Sequence, residues 1–181
     1  PPLEIDLILM TALQKTRAEL FSLLNNSLLQ SEENIILELI KRRIKGEPIA
    51  YLIGTQSFWT MELLVTRDTL IPRPETECLV DWILHHFTHS EKMCVADLGT
   101  GTGAIAIALA LEKNAWQIDA TDQSPEALAV AKKNVVKYVT NQCRVGDITL
   151  LVRSAGIAFR AKRAVFENEK TTRCEPGCLC L

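Results

Sequence analysis

The sequence predicts an α/β protein in which a doubly wound, largely parallel sheet follows a small helical domain. Residues 1–54 carry Leu and Ile at helical spacing, which predicts the helical domain. Further along, a short apolar segment ends in a glycine-rich turn, and a second ends in a carboxylate, which is the pattern of a βαβ unit. With 48% hydrophobic and 23% charged residues, the 181-residue chain has the apolar material for a core, so wholesale disorder is excluded.

Charge and patterning exclude several broad classes of function. The net charge is −2 at pH 7, so no overall positive field draws the chain to nucleic acid, and we expect no direct nucleic-acid contact. No apolar run approaches the roughly 18 residues that cross a bilayer, and no secretory signal opens the sequence, so we expect no membrane partner and a cytoplasmic location. Because the first residue is Pro1 rather than Met, we expect a fragment or a processed chain.

The helical domain is predicted from two segments with different signals. The first has an apolar stripe made of Ile5, Leu9, Leu13, Leu20, Leu23, Leu24 and Leu28. For the second helix we expect Ser31 as the N-cap. Its expected buried face consists of Ile35, Ile36, Leu39 and Ile40. The basic residues that precede Gly46 are interpreted as ordinary cations of a last helical turn, rather than as a binding site.

Residues 55–74 are predicted to form a β-hairpin that links the two domains, since the pattern over 58–71 changes to aromatic and β-branched residues broken by Arg67 and Asp68. Arg73 stands between two prolines, which hold it extended just before a helix predicted over 75–87. An Arg held in this way, followed by Glu75 and Glu77, is suited to present charge over a neighbouring cleft. These three residues are therefore candidate substrate-binding residues.

The strongest chemical signal begins after a predicted strand at 93–96. The turn that follows, before a helix over 104–111, contains the candidate ligand-binding residues Asp97, Gly99, Thr100, Gly101, Thr102 and Gly103. Glycines at every second position let the backbone turn tightly and let a ligand approach the amides at a helix start. A second strand, over 116–120, leads to Asp122, which is placed to accept hydrogen bonds from both ribose hydroxyls of a nucleotide-like ligand. A third strand, predicted near 143–145, leads to Asp147 and Ile148 in the same crevice.

The charge at this turn favours one ligand over another. Gly99, Gly101 and Ala104 satisfy a loose dinucleotide fingerprint, so an NAD-dependent oxidoreductase stays an alternative. A bound pyrophosphate, however, would face the carboxylate of Asp97, whereas S-adenosylmethionine brings an ammonium and a sulfonium. The sequence therefore favours S-adenosylmethionine. An acid that merely caps a glycine turn without any ligand is the remaining alternative.

Residues 35–150 closely resemble the release-factor glutamine methyltransferases, which methylate the side-chain amide of a glutamine in peptide chain release factors. The resemblance rests on residues 46–54 (Gly-Glu-Pro-Ile-Ala-Tyr-Leu-Ile-Gly), Phe58, the corner at 71–77, the turn at 97–103, Asp122, and the pair at 146–147. It implies a class I methyltransferase, Rossmann-like fold, with S-adenosylmethionine as cofactor and 75–150 as the first half of its binding domain. It also implies that 99–103 hold the methionine end of the donor, Asp122 its ribose and Ile148 its adenine, and that the helical domain grips the release factor.

The same resemblance exposes a gap. Family members continue to a fourth strand that ends in Asn-Pro-Pro-Tyr, and the 181 residues contain no such tetrapeptide. In the family, the Asn side-chain oxygen and a Pro carbonyl accept the hydrogens of the substrate amide and aim its nitrogen at the methyl group. We therefore name no catalytic residue and expect impaired transfer. A non-catalytic fragment that binds the donor or the release factor is the alternative.

Residues 151–181 look foreign to the rest of the chain. They carry six basic and three acidic residues without a clear βα alternation, so we expect an atypical, frame-shifted or truncated terminus and a sheet that ends early with an exposed edge strand. Three cysteines near the end, without a neighbouring His, are one ligand short of a closed zinc site, so no metal is expected. Cys78, Cys94 and Cys143 are expected to be reduced thiols that pack as small hydrophobes.

Overall fold

The computed structural model of the chain describes residues 2–22, 27–88, 92–139, 147–154, 157–161 and 179–181. Over 147–154 and 157–161 the description covers the backbone alone. The chain divides into two compact units, Pro1–Thr55 and Gln56–Leu181. Among the described helices, none combines the length and the apolar character that crossing a bilayer requires.

The N-terminal unit is helical, as predicted. Its helices are α1 (Pro2–Leu13), α2 (Arg17–Ser22), α3 (Gln30–Ile44) and α4 (Ile49–Ile53). Ile8 of α1, Leu39 of α3 and Leu52 of α4 form its buried cluster. The predicted stripe of the first helix is therefore rotated, because Ile8 is buried while Ile5 is 58% exposed. Of the apolar residues predicted to continue that stripe, Leu23 and Leu24 lie outside the described residues.

Helix α3 begins earlier than predicted. It starts at Gln30, and the backbone N–H of Leu29 donates to the Glu32 carboxylate at 2.9 Å. The expected N-cap at Ser31 is therefore wrong, because a carboxylate three residues on satisfies the helix start instead. Ile36 and Leu39 are buried, while Ile35 and Ile40 are exposed, since a unit of four short helices covers only a narrow stripe of α3.

Two of the basic residues at the end of α3 hold internal ion pairs. Arg42 makes two hydrogen bonds to the Glu47 carboxylate, at 2.7 and 2.8 Å. Arg43 makes two to the Glu4 carboxylate of α1, at 3.0 and 3.1 Å. Paired, bidentate guanidinium groups of this kind serve the packing of the unit, which agrees with the structural interpretation of this cluster.

The second unit opens within a hairpin made of β1 (Thr55–Phe58) and β2 (Met61–Leu64), one residue after β1 begins. A short 3-10 turn at Pro74–Thr76 then leads directly into α5 (Glu77–His86). Trp59, at the hairpin turn, has a positive φ of 55°, and its backbone N–H donates to the Glu77 carboxylate at 2.9 Å. The hairpin is thus tied to the start of α5. Cys78 and Cys94, predicted to be packed, are free but exposed thiols.

A five-stranded sheet carries the rest of the unit, confirming the predicted α/β class. Its elements are β3 (Cys94–Leu98), α6 (Ala104–Glu112), β4 (Gln117–Asp122), α7 (Pro125–Val139), β5 (Asp147–Ser154), β6 (Ile157–Ala161) and β7 (Leu179–Cys180). The strand order is β6-β5-β4-β3-β7, with β6 antiparallel and the other pairs parallel. The chain winds from β3 toward β5 on one side while β7 lies on the other, so the order reverses beside β3. In open sheets of this kind ligands bind at the carboxyl ends of the strands where the order reverses.

The core of the unit lies between the sheet, the hairpin and the helices. Its largest buried members are Phe58, Leu63, Val80, Ile83, Val95, Ile107, Leu109, Trp116 and Ile118. Helix α6 is apolar on nearly all sides, and five consecutive residues from Ala106 to Ala110 are 0% exposed. A helix buried all round cannot shift easily, so the turn that precedes it has a rigid base.

The chain terminus does not leave β3 as an open edge. Leu181 donates its backbone N–H to the Ala96 carbonyl at 2.7 Å, and its carbonyl accepts the Leu98 N–H at 3.0 Å. Leu179 and Leu181 also pack against the core. The expectation of an exposed edge strand is therefore wrong at β3, because pairing with 179–181 satisfies backbone groups that an edge would leave unpaired. Residues 162–178, which include Cys174 and Cys178, lie outside the described residues.

Candidate functional site

The turn between β3 and α6 is a glycine loop with an open outer face. Gly99, Gly101 and Gly103 have φ values of 86°, 55° and 82°, a region that L side chains rarely adopt. A Cβ atom built on Gly99 or Gly101 would meet nothing within 4 Å, whereas one on Gly103 would lie 3.2 Å from Cδ1 of Ile107. The first two glycines therefore face open space that a ligand can approach, and Gly103 allows close packing on α6.

The end of β4 holds this loop. The N–H groups of Gly99 and Thr100 both donate to the carbonyl of Thr121, each at 2.8 Å. The Gly103 N–H donates to the Thr100 carbonyl at 2.8 Å, which closes the turn into α6. The loop therefore has a fixed conformation set by β4, rather than an adaptable one.

Asp97 lies beneath the loop and supports it. Its side chain is buried, at 3% exposed, and its Oδ2 accepts the Thr100 hydroxyl at 2.7 Å. Burial raises the pKa of this carboxyl above its ordinary 3.8, the bonds from Thr100 and the Ala106 backbone oppose that rise, and the Asp122 charge adds to it. A buried, poorly solvated carboxylate of this kind gains from any cation placed over the loop.

Asp122, at the end of β4, binds the loop directly. Its Oδ2 accepts the Gly101 N–H at 2.8 Å, and its Oδ1 accepts the Ser124 N–H at 2.9 Å. Each carboxylate oxygen can accept a second hydrogen bond, so Asp122 keeps acceptors for a ligand, and it is only partly buried. The acid predicted to bind ribose is thus next to the loop predicted to bind the rest of the donor. These residues fit S-adenosylmethionine: open space over two glycines, free acceptor capacity at one acid and negative charge beneath.

Thr102 connects the loop to a residue that the sequence prediction missed. Its carbonyl accepts an N–H of the Asn134 side chain at 2.9 Å. Asn134 lies on α7 and is 0% exposed. A signal was present in the sequence, since Ala127, Val130 and Ala131 make an apolar stripe that Asn134 continues, and a polar residue on a core-facing stripe requires partners.

Asp147 and Ile148 are not where the sequence placed them. Asp147 is the first residue of β5 and pairs with Gln117, the first residue of β4, while Val152 pairs with Asp122. Five residues of strand separate the two levels, about 16 Å along the sheet. The prediction that Asp147 and Ile148 lie with Asp122 at the carboxyl ends of the strands is therefore wrong. The apolar run at 148–152 forms the strand in place of the shorter one expected near 143–145, which lies outside the described residues.

The three candidate substrate-binding residues lie around the corner before α5. Arg73 is extended, with φ −97° and ψ 145°, and both Arg73 and Glu75 are exposed. Glu77 is half-buried and accepts the Trp59 N–H, so it has a structural contact that the sequence did not predict. It also lines an open surface cavity of about 540 Å³ together with Trp59, Trp82 and His86. In the described part of the chain, no hydrogen bond joins Arg73 or Glu75 to the glycine loop, and no cluster of three or more acidic, His or Cys side chains suits a metal ion.

Two family models match the chain. A model described as PrmC N-terminal domain matches residues 1–54, and one described as methyltransferase small domain matches residues 77–153. The second match includes the glycine loop, Asp97 and Asp122. Together with the sheet, it confirms the class I methyltransferase fold.

Similar proteins agree with these models. The release factor glutamine methyltransferase of Coxiella burnetii is 48% identical over 143 residues, which cover 79% of this chain and 52% of the relative. That of Xylella fastidiosa strain 9a5c is 41% identical over 146 residues, covering 80% of this chain and 53% of the relative. A solved structure, "Human methyltransferase 10 domain containing protein", matches 53% of this chain and 47% of that one at 22% identity and a TM-score of 0.42, too low to bear on the fold. The chain spans about half the length of the curated relatives it matches, and over that span it is similar to the release factor glutamine methyltransferases.

Proposed function

We propose that the crevice at the carboxyl ends of β3 and β4 binds S-adenosylmethionine, as part of a protein-glutamine methyltransferase that acts on peptide chain release factors. The observation that carries the proposal is the bond from the Gly101 N–H to Asp122 at 2.8 Å, which makes the glycine loop and the ribose-binding acid one unit. The donor site comprises Asp97, 99–103 and Asp122. It leaves out Asp147 and Ile148, which lie at the amino end of β5, whereas the donor site lies at the carboxyl ends of β3 and β4.

The residues of the site have distinct roles in this proposal. Asp122 binds the ribose hydroxyls with the acceptor capacity that Gly101 and Ser124 leave to it. The open faces of Gly99 and Gly101 admit the methionine end of the donor. Asp97, whose pKa is raised by burial, favours the cationic groups of the donor from beneath the loop. When bound, S-adenosylmethionine supplies the methyl group.

The transfer itself needs groups that these 181 residues do not contain. An amide nitrogen is a weak nucleophile because its lone pair is shared with the carbonyl, so acceptors must hold its hydrogens and aim it. In the family that task belongs to Asn-Pro-Pro-Tyr, which is absent from the sequence. In the strand order of this sheet, β7 takes the position beside β3 that a fourth strand would hold. We therefore propose that a polypeptide of these 181 residues binds the donor without transferring its methyl group.

The rest of the chain would serve the protein substrate. The helical unit, which matches the PrmC N-terminal domain model, is proposed to bind the release factor. Arg73 and Glu75 are exposed just before α5 and are proposed to contact the same partner. This function belongs to translation termination and would place the protein in the cytoplasm, with no nucleic acid or membrane among its direct partners.

Calorimetric titration tests the donor site. The 181-residue polypeptide should bind S-adenosylhomocysteine and should not bind NAD, whose pyrophosphate would face Asp97. Tight binding of NAD in place of S-adenosylhomocysteine would contradict the proposal.

A methyl-transfer assay on a release factor tests the second part. With labelled S-adenosylmethionine, the 181-residue polypeptide should leave the release factor unlabelled. A full-length family member should label it under the same conditions and is the control. Robust labelling by the 181-residue polypeptide would show that the account of the missing acceptors is wrong.

A further inference from the structure

Side chains of α7 satisfy the outer edge of the hairpin strand β2. The N–H of Glu62 donates to the Tyr138 hydroxyl and the Glu62 carbonyl accepts from it, both at 2.7 Å. Two residues along, the Leu64 N–H donates to Oδ1 of Asn134 at 2.7 Å, and the Leu64 carbonyl accepts from Nδ2 at 3.0 Å. Residues 62 and 64 have edge groups that a third strand would otherwise pair, so α7 stands in place of that strand.

Asn134 differs from Tyr138 in one respect: it also reaches the glycine loop. Its Nδ2 donates a second bond, to the Thr102 carbonyl at 2.9 Å. One amide thus holds a hairpin residue 70 positions away and a loop residue 32 positions away. The three bonds use its oxygen and both amide hydrogens at a site that is 0% exposed. No other standard side chain of this length offers one acceptor and two donors in a plane.

Two side-chain bonds to the backbone of the glycine loop come from a residue just before α7 and a residue within it. Asp122, next to the start of α7, holds the Gly101 N–H, while Asn134, within α7, holds the Thr102 carbonyl. The Gly101 N–H and the Thr102 carbonyl belong to the loop over which the donor is proposed to lie, and they flank the Gly101–Thr102 peptide. Fixing both fixes the orientation of that peptide and of the amides around it.

We infer that Asn134 is a positioning residue for the donor loop and that it couples the hairpin to donor binding. The inference rests on the proposed donor site. It predicts that a donor bound over the loop stabilises the Leu64 backbone bonds of the hairpin, although Leu64 is not one of the residues of the proposed donor site. The coupling is reciprocal, so loss of the Asn134 bonds weakens donor binding.

The test compares Asn134→Asp with Tyr138→Phe. Asp keeps an acceptor for the Leu64 N–H but loses both donors, so the Thr102 and Leu64 carbonyls face a group that cannot donate to them. Phe removes the hydroxyl that bonds Glu62 on the same helix and hairpin, without touching the loop. Binding of S-adenosylhomocysteine is measured by calorimetry well below each variant's unfolding temperature. We expect Asn134→Asp to weaken binding about tenfold or more and Tyr138→Phe to leave it unchanged, although both lower thermal stability.

Amide hydrogen exchange on the wild-type chain gives a second readout that does not depend on whether a variant folds. Addition of S-adenosylhomocysteine should slow exchange of the Leu64 amide more than that of the Glu62 amide, which is bonded to Tyr138 instead. Equal affinity of Asn134→Asp and wild type, or an unaffected Leu64 amide, would overturn the inference while the donor site stands. Absence of any binding by the wild type would instead overturn the donor site.

Discussion

Replacement of Asp122 by Asn tests the most specific residue of the donor site. In the structure both carboxylate oxygens accept backbone N–H groups, from Gly101 and Ser124, so the remaining lone pairs are the ones that a ribose would use. Asn keeps one acceptor oxygen and nearly the same shape, but it loses the charge and turns an NH2 group toward a backbone donor. Hydrogen bonds to charged groups contribute about 1.5 to 3 kcal/mol each. Loss of one such bond to ribose corresponds to roughly tenfold to a hundredfold in affinity.

Calorimetry with S-adenosylhomocysteine at neutral pH measures this effect. The matched control is Glu126→Gln, which removes the charge of a nearby exposed carboxylate that accepts the Ser124 hydroxyl at 2.9 Å and makes no bond to the glycine loop. We expect at least about a tenfold loss for Asp122→Asn and no loss for the control. Thermal unfolding without ligand separates the effect on the loop from the effect on binding. Wild-type affinity in Asp122→Asn would refute the assignment of the ribose contact.

Three further predictions concern the loop and the corner before α5. Burial raises the pKa of Asp97 above 3.8, so the contribution of this carboxyl to folding stability is present below pH 3.8 and is lost as the pH rises through the raised pKa. Because a cationic donor favours the carboxylate form, the affinity for S-adenosylmethionine should increase over that same pH interval. Asp97→Asn should remove this pH dependence of the affinity. Gly101→Ala should mainly weaken donor binding, because its Cβ enters the open face of the loop. Gly103→Ala should mainly lower the unfolding temperature, because its Cβ lies 3.2 Å from Cδ1 of Ile107. If the two variants changed donor affinity and unfolding temperature equally, these separate roles of the two glycines would be contradicted. Arg73→Ala should weaken binding of a release factor in a pull-down titration and leave the affinity for S-adenosylhomocysteine unchanged, and the reverse pattern would count against its substrate role.

The sequence predicted the fold where one local pattern dominates. The apolar strand, the three glycines and the alanine-rich helix around 94–112 can form only a strand, a turn and a buried helix, and the structure confirms them. The helical character of residues 1–54 followed from periodicity in the same way. The detail of which stripe is buried did not, since Ile8 rather than Ile5 faces the small core and only the packing partners decide this.

The candidate site was predictable in part. The spacing of the sequence predicts Asp97, the glycine loop and Asp122. It does not predict the register of β5, because the longer apolar run at 148–152 forms the strand in place of the segment before it. Asp147 therefore lies at the amino ends of the strands rather than at their carboxyl ends. Asn134 was missed for a different reason. The apolar stripe of α7 indicates that Asn134 needs partners, but its three bonds reach Leu64 and Thr102, which are distant in sequence, and no local pattern identifies them.

The central claim is that the crevice over the glycine loop is the binding site for S-adenosylmethionine. A crystal structure of the chain grown with S-adenosylhomocysteine tests it most directly. The account predicts the ribose hydroxyls within hydrogen-bond distance of Asp122 and the amino-acid end over the open faces of Gly99 and Gly101. Ligand density elsewhere on the molecule, with this crevice empty, would contradict it.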